Sequence, residues 1–130
     1  HNGTFRGNNP AFVTATAALR EFWSDDTLER STIAKGERVE GVFTELAAAS
    51  RVLTPKGRGL ARGLSFSQPE LAAKTCAAAF ERGLLMETSG PSDEVMKVMP
   101  ALTITDDELT EGLEIVKESV RTVMEGVSAE

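Results

Sequence analysis

Hydrophobic and polar positions change period several times along this chain, and each change marks an element. Phe12, Leu19 and Trp23 recur at helical spacing with Thr16 between them. Ahead of them, Asn9 is placed to cap the helix and Pro10 to fill its first position, where a missing N–H costs nothing. Ser24-Asp25-Asp26 breaks the pattern and offers a new cap, with carboxylates at the positive end of the next helix. That second helix runs to about Ser50. Leu28, Val39, Val42, Phe43 and Leu46 form its buried stripe, and Glu29, Arg30, Lys35, Glu37, Arg38 and Glu40 its solvated faces; Gly36 and Gly41 weaken it locally. The two segments together read as a long helical connector with a kink near Ser24.

The pattern then shortens. Leu53-Thr54-Pro55-Lys56-Gly57-Arg58-Gly59 reads as a loop or irregular edge, and Leu60–Phe66 as a strand with Leu64 and Phe66 on one face and Ala61, Gly63 and Ser65 on the other. Ser67-Gln68-Pro69-Glu70 has the spacing of a capping box and opens a helix through Arg82, with Ala72, Cys76, Ala79 and Phe80 inward and Gly83 ending it in the left-handed region. Leu84–Thr88 and Val95–Met99 read as short strands separated by a turn over Ser89–Asp93, the second stopped by Pro100. Thr105-Asp106-Asp107-Glu108 is a second capping box. It precedes a helix whose Leu109, Leu113, Val116, Val120 and Val123 recur at spacings of three and four, with a frayed end from Gly126 to Glu130. The expected class is α/β of the α+β kind: a small, largely antiparallel three-stranded sheet with helices packed on one side, preceded by the kinked connector.

Composition narrows the functions. The 130 residues suffice for one domain with a core. A net charge of -6 and a pI near 4.9 leave no basic stripe for nucleic acid. The single Cys76 forms no internal disulfide and suits a reducing, cytoplasmic setting. No apolar run approaches the roughly 20 residues that span a bilayer. The chain opens without an initiator Met, and the reading is of a fragment of a longer polypeptide.

Three groups of residues carry candidate chemistry. In the first ten, His1-Asn2-Gly3-Thr4-Phe5-Arg6-Gly7-Asn8-Asn9-Pro10, glycines and asparagines surround Thr4 and Phe5 just before a helix start. Such a loop presents a hydroxyl and backbone N–H groups to an anion, or is a glycine-rich turn without a ligand. Lys97 shares a strand face with Val95 and Met99; it is either a guard against edge-to-edge aggregation or a point charge aimed at a carboxylate. Lys56, Arg58 and Arg62 are either anion contacts or a solvated turn. His1, the lone histidine, has no partner at metal-ligand spacing, so no metal is assigned. No nucleophile–histidine arrangement can be assembled, and Glu87, placed for acid–base work, has no partner in the sequence.

The run His1-Asn2-Gly3-Thr4-Phe5-Arg6-Gly7-Asn8 resembles a loop of the class III aminotransferases, enzymes of pyridoxal phosphate fold type I. Lys56-Gly57-Arg58-Gly59-Leu60 looks like that family's Arg-Gly-x-Gly-Leu strand entry, and Val98-Met99-Pro100-Ala101-Leu102-Thr103-Ile104-Thr105 its closing strand and Pro-Pro-Leu turn. Arg6 and Asn9, together with Glu87-Thr88-Ser89-Gly90 and Lys97, are similar to one subgroup. The resemblance covers essentially the whole chain. It implies the C-terminal part of such an enzyme: residues 1–23 the end of the large cofactor domain, 24–50 the connecting helix, 51–130 the small domain. It further implies a pyridoxal phosphate cofactor, a homodimer or higher homo-oligomer, and small amino-acid and oxo-acid substrates. Thr4 matches a threonine that reaches the cofactor phosphate of the neighbouring subunit, with Gly3 and Phe5 shaping that loop. Lys97 stands where many relatives carry an arginine for the substrate α-carboxylate. The family's Schiff-base lysine lies upstream of the His1 run, so no catalytic residue is expected here and the fragment alone is expected to be inactive. The alternatives are a relative acting on ornithine, acetylornithine or 4-aminobutyrate, and a non-catalytic α/β binding module.

Overall fold

Eight elements follow one another in the order α1 (Asn9–Phe22), α2 (Thr27–Ala49), β1 (Leu53–Arg58), β2 (Ala61–Phe66), α3 (Pro69–Glu81), β3 (Glu87–Ser89), β4 (Val95–Val98) and α4 (Asp106–Ser128). The computed structural model describes residues 3–128. His1, Asn2, Ala129 and Glu130 lie outside the described residues, and with them the metal assignment at His1 and the last two residues of the expected frayed end. The chain divides into two units, His1–Ser31 and Thr32–Glu130.

In the first unit, Asn8 is the N-cap of α1 and Asn9 its first helical residue, one position earlier than the spacing predicts, and no side-chain bond caps the helix. None of the residues of α1 is buried; Phe12, Leu19 and Trp23 remain more than half exposed. The expected break is present: residues 23–26 leave the helix, and the Asp25 carboxylate accepts a 2.8 Å bond from the Thr27 N–H at the start of α2.

The second unit holds a four-stranded, wholly antiparallel sheet in the order β1-β2-β4-β3. The expected three strands gain a fourth because Leu53–Arg58, polar and containing Pro55 and Gly57, pairs along its length with β2 from Leu53↔Phe66 to Arg58↔Ala61. Pro55 is tolerated because β1 is an edge. Gly57 has φ +103°, and a Cβ there would fall on the carbonyl oxygen of Ala61. Of Leu84–Thr88 only the end is strand; β3 starts at Glu87.

All the helices of this unit meet one face of the sheet. Leu64, Phe66 and Met96 from the strands, Val39, Phe43 and Leu46 from α2, Leu71 and Ala72 from α3, and Leu109, Leu113, Val116 and Val120 from α4 form a single buried cluster. Charged links reinforce the α2–α4 contact: Arg38 to Asp106 at 2.6 Å and Arg121 to Glu45 at 3.0 Å. Two sequence expectations reverse here. Phe80 is 66% exposed, and its place on the inner side of α3 is taken by Thr75, fully buried with its hydroxyl satisfied by the Leu71 carbonyl at 2.7 Å. Lys35, expected in water, is 9% exposed and donates to the Ile104 carbonyl at 2.5 Å. Gly36 lies against the β1–β2 turn, where an added Cβ would stand 2.6 Å from the Gly59 carbonyl oxygen. Its absent side chain permits a close approach rather than merely weakening α2.

The two capping-box spacings have different fates. At α4 the box forms in full: Thr105 N–H and hydroxyl donate to Glu108 Oε2 at 2.9 and 2.7 Å, and Glu108 N–H donates to Thr105 Oγ1 at 3.2 Å. At α3 it does not form. Gln68 is the cap, without a side-chain bond, and the Ser67 N–H is committed to the Val52 carbonyl at 2.9 Å. The α3 exit matches expectation: Gly83 at φ +89° carries the paired bonds Gly83 N–H to Phe80 O and Leu84 N–H to Ala79 O, both 2.9 Å. Helix α4 continues to Ser128, past the expected fraying at Gly126.

The bonds from Thr105 hold the Glu108 carboxyl below its ordinary value of 4.5. A depressed carboxyl contributes stability that is present above the ordinary value and lost as the pH falls through the folded one. Glu108→Gln is therefore expected to lower the urea midpoint at neutral pH and to leave a shallower loss below pH 4.5. An acid limb as steep as in the parent would remove Glu108 from this role.

Candidate functional site

The register places Lys56, Gly63, Lys97 and Glu87 in one row across all four strands. Strand alternation puts that row on the face turned away from Leu64 and Met96, and so away from the helices. Gly63 adds no side chain to the row, and Cγ1 of Val95 packs where its Cβ would stand. The result is an open depression of about 190 Å³ whose lining includes Lys56, Gly63, Ser89, Val95, Lys97 and Met99. Neighbouring strands are about 4.8 Å apart, so the Lys56 and Lys97 stems rise about 10 Å from each other.

Lys97 is not an edge guard. Strand β4 lies between β2 and β3, hydrogen-bonded on both sides. Its Nζ stands 3.1 Å from Oε2 of Glu87, directly opposite on β3. Glu87, without a partner in the sequence reading, thus holds the ammonium as a ligand carboxylate would. With side-chain exposures of 33% for Lys97 and 74% for Glu87, the pair is a weak surface contact that an incoming carboxylate can replace. The signal for this pairing was present in the sequence: folding Glu87–Ser89 and Val95–Lys97 symmetrically about the intervening turn sets residue 87 against residue 97.

Of the other cations, only Lys56 shares the row. Arg62 faces the opposite side, bonded to Glu40 at 2.8 Å and to the Gly59 carbonyl at 3.0 Å, and Arg58 is exposed near the hairpin tip. Lys56 lends a small pull to Glu94, whose carboxyl is held below its ordinary range mainly by backbone N–H groups of Glu94 itself and of Ser92. A second hollow of about 170 Å³ opens on the core side between Leu84–Met86, Val98–Pro100 and α4; Lys97 and Glu108 border it, and its other walls are apolar. Burial raises the Cys76 thiol above its ordinary range, which suits a packing role and not a nucleophile.

The Thr4 loop belongs to the first unit. Two successive turns, closed by Arg6 N–H to Gly3 O at 3.0 Å and Asn8 N–H to Phe5 O at 3.3 Å, lead into α1, with Gly7 at φ +76°. Gly3, Thr4 and Phe5 are all exposed, and Phe5 is 81% accessible. A hydroxyl on a turn ahead of a helix start that lacks a side-chain cap is suited to an anionic group.

Comparison with known proteins gives a consistent result. The family profile described as aminotransferase class-III matches residues 1–120. The chain is 57% identical over 126 residues to the diaminobutyrate–2-oxoglutarate transaminase of Nocardia farcinica, covering 97% of this chain and 29% of that protein. It is 42% identical to the enzyme of the same name from Virgibacillus pantothenticus, covering 95% and 30%. The chain thus spans less than a third of the length of these curated relatives. Among solved structures, the acetylornithine aminotransferase from Elizabethkingia anophelis superposes with a TM-score of 0.77 at 25% identity, over 94% of this chain and 32% of that one.

Proposed function

Because the chain belongs to the class III aminotransferases, we propose that it is the C-terminal part of an enzyme that transfers the amino group of glutamate to aspartate semialdehyde, giving 2,4-diaminobutyrate and 2-oxoglutarate. The observation that carries this reading is the likeness to diaminobutyrate–2-oxoglutarate transaminases over nearly the whole chain. In this reading residues 1–23 end the large domain, 24–50 connect, and 51–130 form the small domain of a cytoplasmic homodimer or higher homo-oligomer. The Schiff-base lysine lies upstream, so this chain alone is inactive.

Bound pyridoxal phosphate would supply an electron sink for the carbon that loses or gains the amino group. The residues here would hold and orient. The Thr4 hydroxyl would bind the phosphate in the neighbouring subunit, on a loop whose shape depends on Gly3 and Phe5. Lys97 would take the substrate carboxylate, as it already takes that of Glu87. Holding the reactants in one geometry is a large part of such a rate enhancement.

The reaction is tested on the full-length protein by assaying glutamate with aspartate semialdehyde beside ornithine, acetylornithine and 4-aminobutyrate, each with 2-oxoglutarate as amino acceptor. A preference for one of the competitors overturns the assignment. For Thr4, the expected result of Thr4→Ala is faster loss of cofactor on dialysis, followed by the cofactor's visible absorbance. Unchanged retention would take Thr4 out of the site.

A further inference from the structure

Lys97 and Met99 border the depression, yet the β4 ladder that fixes them ends at Val98↔Arg62. The chain from Met99 to Thr105 must therefore be held by something other than the sheet. Within it, the backbone makes one turn, Ile104 N–H to Ala101 O at 3.0 Å. Thr105 at its end is bonded to Glu108 of α4, and further anchors come from α2. Lys35, buried at 9% exposure, donates from Nζ to the Ile104 carbonyl. Arg38, three residues on and so on the same helix face, reaches Asp106 Oδ1 at 2.6 Å, Asp106 O at 3.3 Å and Thr110 Oγ1 at 2.6 Å. A lysine withdrawn from water with no ion pair among the described residues is costly to keep. An apolar side chain would fill the same volume without that cost, so packing alone does not explain it.

We infer that Lys35 and Arg38 are positioning residues for the carboxylate site: Lys35 ties down Ile104 and Arg38 the start of α4 just after it, so that together they fix the far end of the segment from Met99 to Thr105, and with it the direction in which β4 presents Lys97. Neither touches the depression; both act through the backbone that leaves it. The inference rests on the reading of Lys97 as the carboxylate-binding side chain.

The test uses the full-length enzyme with cofactor. Lys35→Met keeps the stem and removes the donor. It is expected to raise the KM for glutamate on the order of tenfold, with kcat within about twofold. The Kd of glutarate, an unreactive dicarboxylate read by calorimetry, should rise in parallel, and Lys35→Arg should restore most of both. A lowered melting temperature with unchanged KM and glutarate Kd, or a fall in kcat alone, overturns the inference and leaves Lys35 a purely structural residue. If Lys35→Met does not fold, the partly buried Arg38→Gln carries the test, with a rise in KM supporting the inference and an unchanged KM overturning it. Lys97→Met separates the two readings. If it raises KM while Lys35→Met does not, this inference alone falls; if it leaves KM unchanged, both fall.

Discussion

Lys97→Met in the full-length enzyme is expected to raise the KM for glutamate between about tenfold and a hundredfold, because a hydrogen bond to a charged group contributes about 1.5–3 kcal/mol. The side chain stands on a central strand with its ammonium turned to Glu87 at the border of the depression, and an apolar residue of similar length fills the space without the charge. Glu87→Gln is expected to act in the opposite direction. It removes the carboxylate that occupies Nζ at 3.1 Å, and a smaller KM should follow. Lys97→Arg should retain binding, since a guanidinium also reaches a carboxylate. Steady-state kinetics on the three variants decides the matter: a KM indifferent to Lys97→Met would return the lysine to a structural role.

Phe43→Ala is expected to cost about 3–5 kcal/mol. Phe43 is fully buried where α2 meets the cluster shared by the sheet, α3 and α4. Whole domains are stable by only about 5–15 kcal/mol, so this one change removes a large share of the margin. Urea unfolding of the second unit's helices, followed by far-ultraviolet circular dichroism, should show the midpoint falling sharply. A shift no larger than that of an exposed substitution such as Phe80→Ala would mean that α2 is not integral to the core.

Helices with a regular apolar period were legible in the sequence. The α4 stripe Leu109, Leu113, Val116 and Val120 is buried as its spacing predicts, and the Gly83 stop has the expected left-handed backbone. Features set by a distant partner were not legible. Strand β1 has no alternation of its own, and its pairing with β2 makes it a strand. Lys35 reads as a surface residue until the carbonyl of Ile104, 69 positions away, is brought to it. The Ser67–Glu70 spacing equals that of Thr105–Glu108, but the Ser67 N–H is taken by Val52, so the helix begins beyond it. Phe80 misled because hydrophobicity alone does not tell which face of α3 meets the sheet; Thr75 shows that a hydroxyl bonded to its own helix can take the buried position. At the candidate site, Lys97 and Lys56 were each legible as candidate anion contacts, whereas their place in one row with Glu87 emerged with the strand register.

The strand order has a consequence for how the protein is made. Strands β1 and β2 are joined by a tight hairpin and pair as soon as both leave the ribosome, but β2 then waits for β4, about thirty residues later in the chain, to cover its other side. Until that strand arrives, Leu64 and Phe66 lie beside an open edge able to recruit another chain. The segment that closes the edge is the one that carries Lys97. Nascent chains stalled before residue 95 should therefore be the aggregation-prone species, and one late pairing step both seals the sheet and installs the ammonium.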